Sequence, residues 1–192
     1  MRAKEIIQTS EIDLHELLRN NQINPSSLSA FQKILLIADG TLTNILEAFL
    51  NEPISVIKLS EKIILITQDI PLLEITVGTQ VLDRQILLQG KTTRRNWLYA
   101  DSIIVLERIG GKFRKKLIKS HVPIGKLWVA HKTETFKEIV TYGLEQAENL
   151  SNYFEIKRED KLLSRTYRVF SNRKPIMMIT EKFPKNYFVS VD

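Results

Sequence analysis

Two charged residues stand where strand alternation calls for apolar side chains, and they are the groups best placed in this chain to do chemistry. Arg84 falls in the row Leu82, Arg84, Ile86, Leu88, and Glu181 in the row Pro175, Met177, Ile179, Glu181, Phe183. Alternate residues of a strand share a face, so each charge sits among apolar neighbours. A guanidinium cannot shed its proton, so an arginine facing an apolar interior needs an anion, supplied by the protein or by a ligand. Two chemistries suit the pair. One is a buried salt bridge, which contributes little net stability but leaves both members satisfied. The other is a pocket in which Arg84 binds a carboxylate while Glu181 handles a proton or hydroxyl elsewhere on the same ligand. Alternation gives no distance between them, and both remain open.

Other chemical signals are sparse. His15, His121 and His131 are scattered without metal-ligand spacing, and there is no P-loop, GxGxxG or GxSxG pattern. The chain has no cysteine, which excludes disulfides and thiolate metal sites. The expectation is a pocket with no metal and no side-chain nucleophile. Trp97, Tyr99 and Trp128 read as core or pocket wall, because basic residues are not interleaved with them in a nucleic-acid-binding pattern. A net charge of +6 and a pI near 9.5 favour anionic partners only weakly, and no nucleic-acid partner is expected.

The elements that must position these residues follow from the rest of the chain. With 192 residues, 43% of them hydrophobic and 26% charged, one well-packed domain spanning 1–192 is expected. No apolar run approaches the roughly 20 residues of a membrane span. The N-terminus lacks the apolar core of a signal peptide and carries acids, so the protein is expected to stay in the compartment where it is made. Isoleucine makes up about one residue in eight, a bias that suits an AT-rich genome, of an organelle or a prokaryote.

Helical periodicity comes first: a short helix before residue 22 capped by Ser10, a second capped by Ser29, and a third capped by Thr41 or Thr43. After Asn51-Glu52-Pro53 the period turns to that of strands, at Ile54, Val56 and Ile63–Ile66. Val81–Ile109 reads as a hairpin whose turn holds Gly90 and the polar run to Asn96. Gly110-Gly111 and the basic run Lys112–Lys119 are expected to form a solvated loop, and Pro123 to begin a short helix through Val129. Phe136–Tyr142 reads as a strand, residues 143–152 as a loop or short helix, and Leu162–Phe170 and Pro175–Phe183 as closing strands. Helices gathered first and strands later predict a single α+β domain with a mainly antiparallel sheet and flanking helices.

Four segments in order then bring a family into view: LLIADGTLTNILEAF from Leu35, LDRQILLQG from Leu82, VPIGKLW from Val122 and KPIMMITEKFP from Lys174. Over Phe31 to Pro184 the chain resembles the chorismate lyase family, in its cyanobacterial and algal-plastid branch. The resemblance implies an antiparallel sheet with helices closing over an internal pocket. It also implies removal of pyruvate from chorismate to give 4-hydroxybenzoate, a ring precursor of ubiquinone or plastoquinone, without metal or organic cofactor. The family's ligand-binding Arg falls on Arg84 and its pocket Glu on Glu181. Backbone amides that receive the ring carboxylate fall near Leu42 and Ile124. Arg165 or Arg168 is assigned to the enolpyruvyl carboxylate. On this footing the pocket is favoured over the salt bridge, with a monomer as the expected state. The location is the plastid stroma if the gene is organellar, and otherwise a prokaryotic cytoplasm.

Two positions depart from the family's pattern. Leu42 stands where a bacterial relative has Met, and Asp101, in Ala100-Asp101-Ser102, where the branch has Glu. The competing reading is a stand-alone, non-catalytic sensor, since the same fold resembles the effector domain of bacterial regulators that carry a winged-helix module first. The residues before Phe31 are too few for that module. An RNA-associated protein is a third reading, resting on charge alone.

Overall fold

The computed structural model describes residues 14–119, 122–131 and 134–189. Helices α1 (Leu14–Asn20), α2 (Ala30–Ile37) and α3 (Leu42–Leu50) precede strands β1 (Ile54–Leu65), β2 (Gln80–Gly90) and β3 (Asn96–Val105). Helices α4 (Gly111–Lys119) and α5 (Ile124–His131) follow. Strand β4 (Phe136–Gln146), the single turn α6 (Ser151–Phe154) and strands β5 (Lys161–Ser171) and β6 (Lys174–Pro184) complete the chain. All six strands pair antiparallel in one sheet of order β1-β2-β3-β6-β5-β4. Two three-stranded meanders therefore meet where β3 pairs with β6. This is the single-domain α+β architecture expected from the sequence.

Local chemistry explains most of the boundaries. Ser29 and Gln32 form a reciprocal capping box at the start of α2, as the spacing predicts. The Gln32 side chain is fully buried and donates onward to the carbonyls of Lys185 (2.6 Å) and Tyr187 (2.8 Å), which ties α2 to the end of the sheet. In the β2–β3 turn, Glu52 accepts from the amides of Thr92 (2.9 Å) and Thr93 (3.0 Å) and from the Thr93 hydroxyl (2.7 Å). Asn172 and Arg173 both have positive φ, 50° and 61°, the backbone of a tight turn between twisted strands β5 and β6.

The helices cover one face of the sheet. Leu35, Leu36, Leu46, Leu117 and Leu127 pack there against Leu82, Leu98, Ile104, Leu163, Met177 and Phe183. A smaller cluster of Ile66, Leu73, Ile75, Val81 and Val105 lies apart from it, under the segment that joins β1 to β2.

Four sequence expectations need correction. The run Lys112–Lys119 is helix α4, not a solvated loop: Phe113 and Leu117, one turn apart, are buried against the core while its basic residues face out. Lys58 anchors it from β1 by donating to the Ile118 carbonyl (2.8 Å). Strand β1 continues through Lys58–Lys62, its irregularity confined to a bulge between Lys58 and Ser60. Strand β4 extends beyond Tyr142 to Gln146. Thr41 occupies the N-cap position of α3 but makes no capping hydrogen bond. The predicted cap Ser10 lies outside the described residues.

Candidate active site

A cleft opens between the helix layer and the sheet. Its floor is built by alternation. Arg84, Ile86 and Leu88 of β2, Leu98, Ala100 and Ser102 of β3, and Ile179 and Glu181 of β6 all line it. Register fixes where the charges stand. Ser102 pairs with Arg84 on one side and Ile179 on the other, while Ala100 pairs with Ile86 and Glu181. Arg84 and Glu181 are thus two strands apart and one pleat out of step, roughly 12 Å between Cα atoms. The residues between them, Ala100 and Ser102, are small. They do not bridge each other; the salt bridge between these two residues, one of the sequence's two options, is absent.

Each has its own protein neighbour instead. Arg84 is 2% exposed, and its Nε lies 3.0 Å from Glu61 Oε2 on the adjacent β1. That separation makes an ion pair, but hydrogen-bond geometry is not met: Nε and Nη2 of Arg84 are buried without an acceptor. Burial pulls the Arg84 guanidinium below its ordinary range, and Glu61 opposes this. Glu61 also pairs with Lys58 (2.8 Å), so its charge is shared. Buried, unspent donors on an arginine that lines a cleft are what an anion site requires.

Glu181 is held from two sides. Arg165 Nε donates to its Oε2 (2.7 Å) and the Tyr167 hydroxyl to its Oε1 (3.1 Å). Burial first, and Glu181 next, push the Tyr167 phenol well above its usual range, so it remains a proton donor at physiological pH. The position of Arg165 departs from the expectation. It is 1% exposed, lies outside the cleft lining, and donates through Nη1 to the carbonyls of Ala38 (2.8 Å) and Leu36 (3.2 Å). In this arrangement Arg165 positions Glu181 rather than meeting a ligand carboxylate. Arg168 lies outside the cleft lining too; its terminal nitrogens engage Glu138 (2.6 Å) and the Leu72 carbonyl (3.0 Å), and its buried Nε has no acceptor.

The roof comes from two helix starts. Thr41 with Leu42 and Thr43 at the start of α3, and Pro123 with Ile124 and Gly125 at the start of α5, line the cleft. The first amides of a helix have no acceptor within it and carry its positive dipole end, so both termini favour an anion. Gly125 permits their approach, since a Cβ there would collide with the Thr41 side chain. The two residues proposed for backbone contacts, Leu42 and Ile124, are thereby brought onto the same cleft as Arg84. Ala100 and Ser102 line the cleft, so Asp101 between them points to the opposite face. Burial raises its carboxyl, and nearby Asp83 adds to this.

Sequence reasoning missed three participants. Glu61 becomes Arg84's neighbour only through β1–β2 register. Tyr167 is inward by alternation but was not separated from the core. Lys137, on the edge strand β4, lines the cleft and donates to the carbonyls of Asp39 (2.6 Å) and Gly40 (2.9 Å). Among the described residues no three histidines or carboxylates gather as metal ligands, and no helix is long and apolar enough to cross a membrane.

Comparison with known proteins bears on this geometry. Residues 36–189 match the family model described as chorismate pyruvate-lyase Rv2949c-like. A chorismate pyruvate-lyase of Mycobacterium leprae is 29% identical over 157 residues, covering 81% of this chain and 75% of the relative. One from Mycobacterium tuberculosis is 28% identical over 163 residues, covering 81% and 80%. Among solved structures, the effector domain of PhnF from Mycobacterium smegmatis superposes with a TM-score of 0.61 at 10% identity, over 77% of this chain and 90% of that one. At that identity the likeness speaks to the fold alone.

Proposed function

The chain belongs to the Rv2949c-like chorismate pyruvate-lyase family, and from that premise we propose that it eliminates pyruvate from chorismate to give 4-hydroxybenzoate. The observation that carries this is the unspent Nη2 of Arg84, facing Glu181 across a floor of small residues beneath two helix starts. Arg84 binds the ring carboxylate through its buried Nη2, a charge-assisted contact strengthened by exclusion of water, while Nε stays beside Glu61. The first amides of α3 and α5, at Leu42 and Ile124, complete the anion site.

Glu181, oriented by Arg165 and Tyr167, faces the ring hydroxyl or the enolpyruvyl ether. In the reaction the bond from the ring to the ether oxygen breaks and the neighbouring ring carbon loses its hydrogen. The enolpyruvyl methylene gains a hydrogen and becomes the methyl group of pyruvate. Atoms balance without an oxidant or a further reactant. Aromatisation drives the step, so positioning and electrostatics suffice as the protein's contribution.

The product supplies the ring of ubiquinone- or plastoquinone-type quinones in this proposal. The isoleucine-rich composition supports an origin in an AT-rich genome, with the plastid stroma or a prokaryotic cytoplasm as the place of action. The test is pyruvate release from chorismate by the pure protein without added metal, with inhibition by added 4-hydroxybenzoate. A folded protein that binds chorismate and releases no pyruvate would leave a sensor of the same fold as the better account.

A further inference from the structure

The cleft contains a second cation that the roles above do not use. Lys137 reaches it from β4, at the far side of the sheet from Arg84: in the order β2-β3-β6-β5-β4, three strands stand between them. Glu181 lies on β6, between the two cations. The Lys137 ammonium holds two carbonyls of the loop after α2, Asp39 (2.6 Å) and Gly40 (2.9 Å), and sits 5.4 Å from the centre of the Tyr167 ring. An ammonium has three donors, so one remains for a ligand. Arg165, the other cation near Glu181, is committed to Glu181 and two carbonyls.

Charge matching bears on what that donor meets. Chorismate carries two carboxylates, whereas 4-hydroxybenzoate carries one. Arg84 with the two helix starts serves one of them, and Glu181 is matched by Arg165 from behind. A second substrate carboxylate therefore needs a cation of its own, and Lys137 is the one lining the cleft. Resting on the lyase reading above, we propose that Lys137 binds the enolpyruvyl carboxylate and so selects the dianionic substrate over the monoanionic product. Once pyruvate has left, 4-hydroxybenzoate has no group for Lys137 to hold, which favours release of the aromatic product.

The charged and titratable groups around the ammonium are Glu181 on β6, Arg165 and Tyr167 on β5, and Asp39 in the loop. Burial lowers the Lys137 ammonium from the usual lysine range; Glu181 opposes this, Arg165 adds to it and Asp39 opposes it. The charged form is present below that value and lost as pH rises through it, so chorismate KM should climb on the alkaline side earlier than an ordinary lysine would allow.

The experiment measures chorismate KM and the affinity for 4-hydroxybenzoate in wild type, Lys137→Met and Lys137→Arg, with a melting curve for each. The expected result is a rise in chorismate KM of at least about tenfold in Lys137→Met, with 4-hydroxybenzoate affinity unchanged within about twofold. Lys137→Arg should restore most of the loss and move the alkaline rise in KM to higher pH. A merely structural role, holding the Asp39–Gly40 loop, would weaken both ligands together and overturn the inference. An active wild type with unchanged chorismate KM in Lys137→Met would overturn it alone, leaving the lyase reading intact. A wild type that neither binds nor converts chorismate would overturn both.

Discussion

Removing the Arg165 guanidinium tests the internal logic of the site before any substrate is added. In Arg165→Met three hydrogen bonds vanish, to Glu181 Oε2, to the Ala38 carbonyl and to the Leu36 carbonyl. With Arg165 at 1% and Glu181 at 7% exposure, water replaces them poorly. Breaking a buried pair by deleting one partner costs about 3–5 kcal/mol, because the other charge is left behind. Tyr167 still donates to Glu181, which puts the expected loss at about 3–4 kcal/mol. For a chain of 192 residues each kcal/mol moves the midpoint by about 2–4 °C, so thermal melting should fall by about 6–16 °C. Arg165→Met combined with Glu181→Gln should recover about 2 kcal/mol relative to the sum of the single changes, since the orphaned charge is then gone. The kinetic counterpart separates positioning from binding: in a Glu181→Gln background, removing Arg165 should leave chorismate KM unchanged. A melting temperature within about 2 °C of wild type, or strict additivity with Glu181→Gln, would refute the reasoning.

Arg84→Met should lower kcat/KM for chorismate by about 100-fold, the worth of a charge-assisted contact at about 3 kcal/mol, as read from initial rates. Its melting temperature should fall by no more than Arg165→Met does, because Glu61 loses the Arg84 ion pair but keeps Lys58. Glu181→Gln should reduce kcat by about 100-fold while KM shifts by less than about threefold, the pattern of a group that acts mainly in the transition state. Leu117→Ala should cost about 2–4 kcal/mol in denaturant unfolding, since Leu117 is fully buried; a residue in a solvated loop would change stability by no more than about 0.5 kcal/mol.

Features decided by neighbouring residues were legible in the sequence, and features decided by strand register were not. The capping box at Ser29, the hairpins β2–β3 and β5–β6 and the inward rows holding Arg84 and Glu181 all follow from spacing within a few residues. Glu61 meets Arg84 because the two are paired across β1 and β2, and Lys137 reaches the cleft because β4 closes the far edge of the sheet. Neither fact has a local signature. Arg165 was visible as a candidate cation, but its commitment to Glu181 depends on the β5–β6 register that sets them opposite each other. Helix α4 was hidden by composition: its many basic residues mask the two-residue stripe of Phe113 and Leu117.

The lyase proposal turns on whether the cleft converts chorismate through Arg84. Pure wild type and Arg84→Met, each folded and in excess over chorismate, would be incubated side by side without added metal. Pyruvate and 4-hydroxybenzoate would be quantified by chromatography. Wild type should form the two products in equal amounts well above spontaneous decay, and Arg84→Met should form them about 100-fold more slowly. Intact chorismate after incubation with wild type, or equal rates from the two proteins, would contradict it.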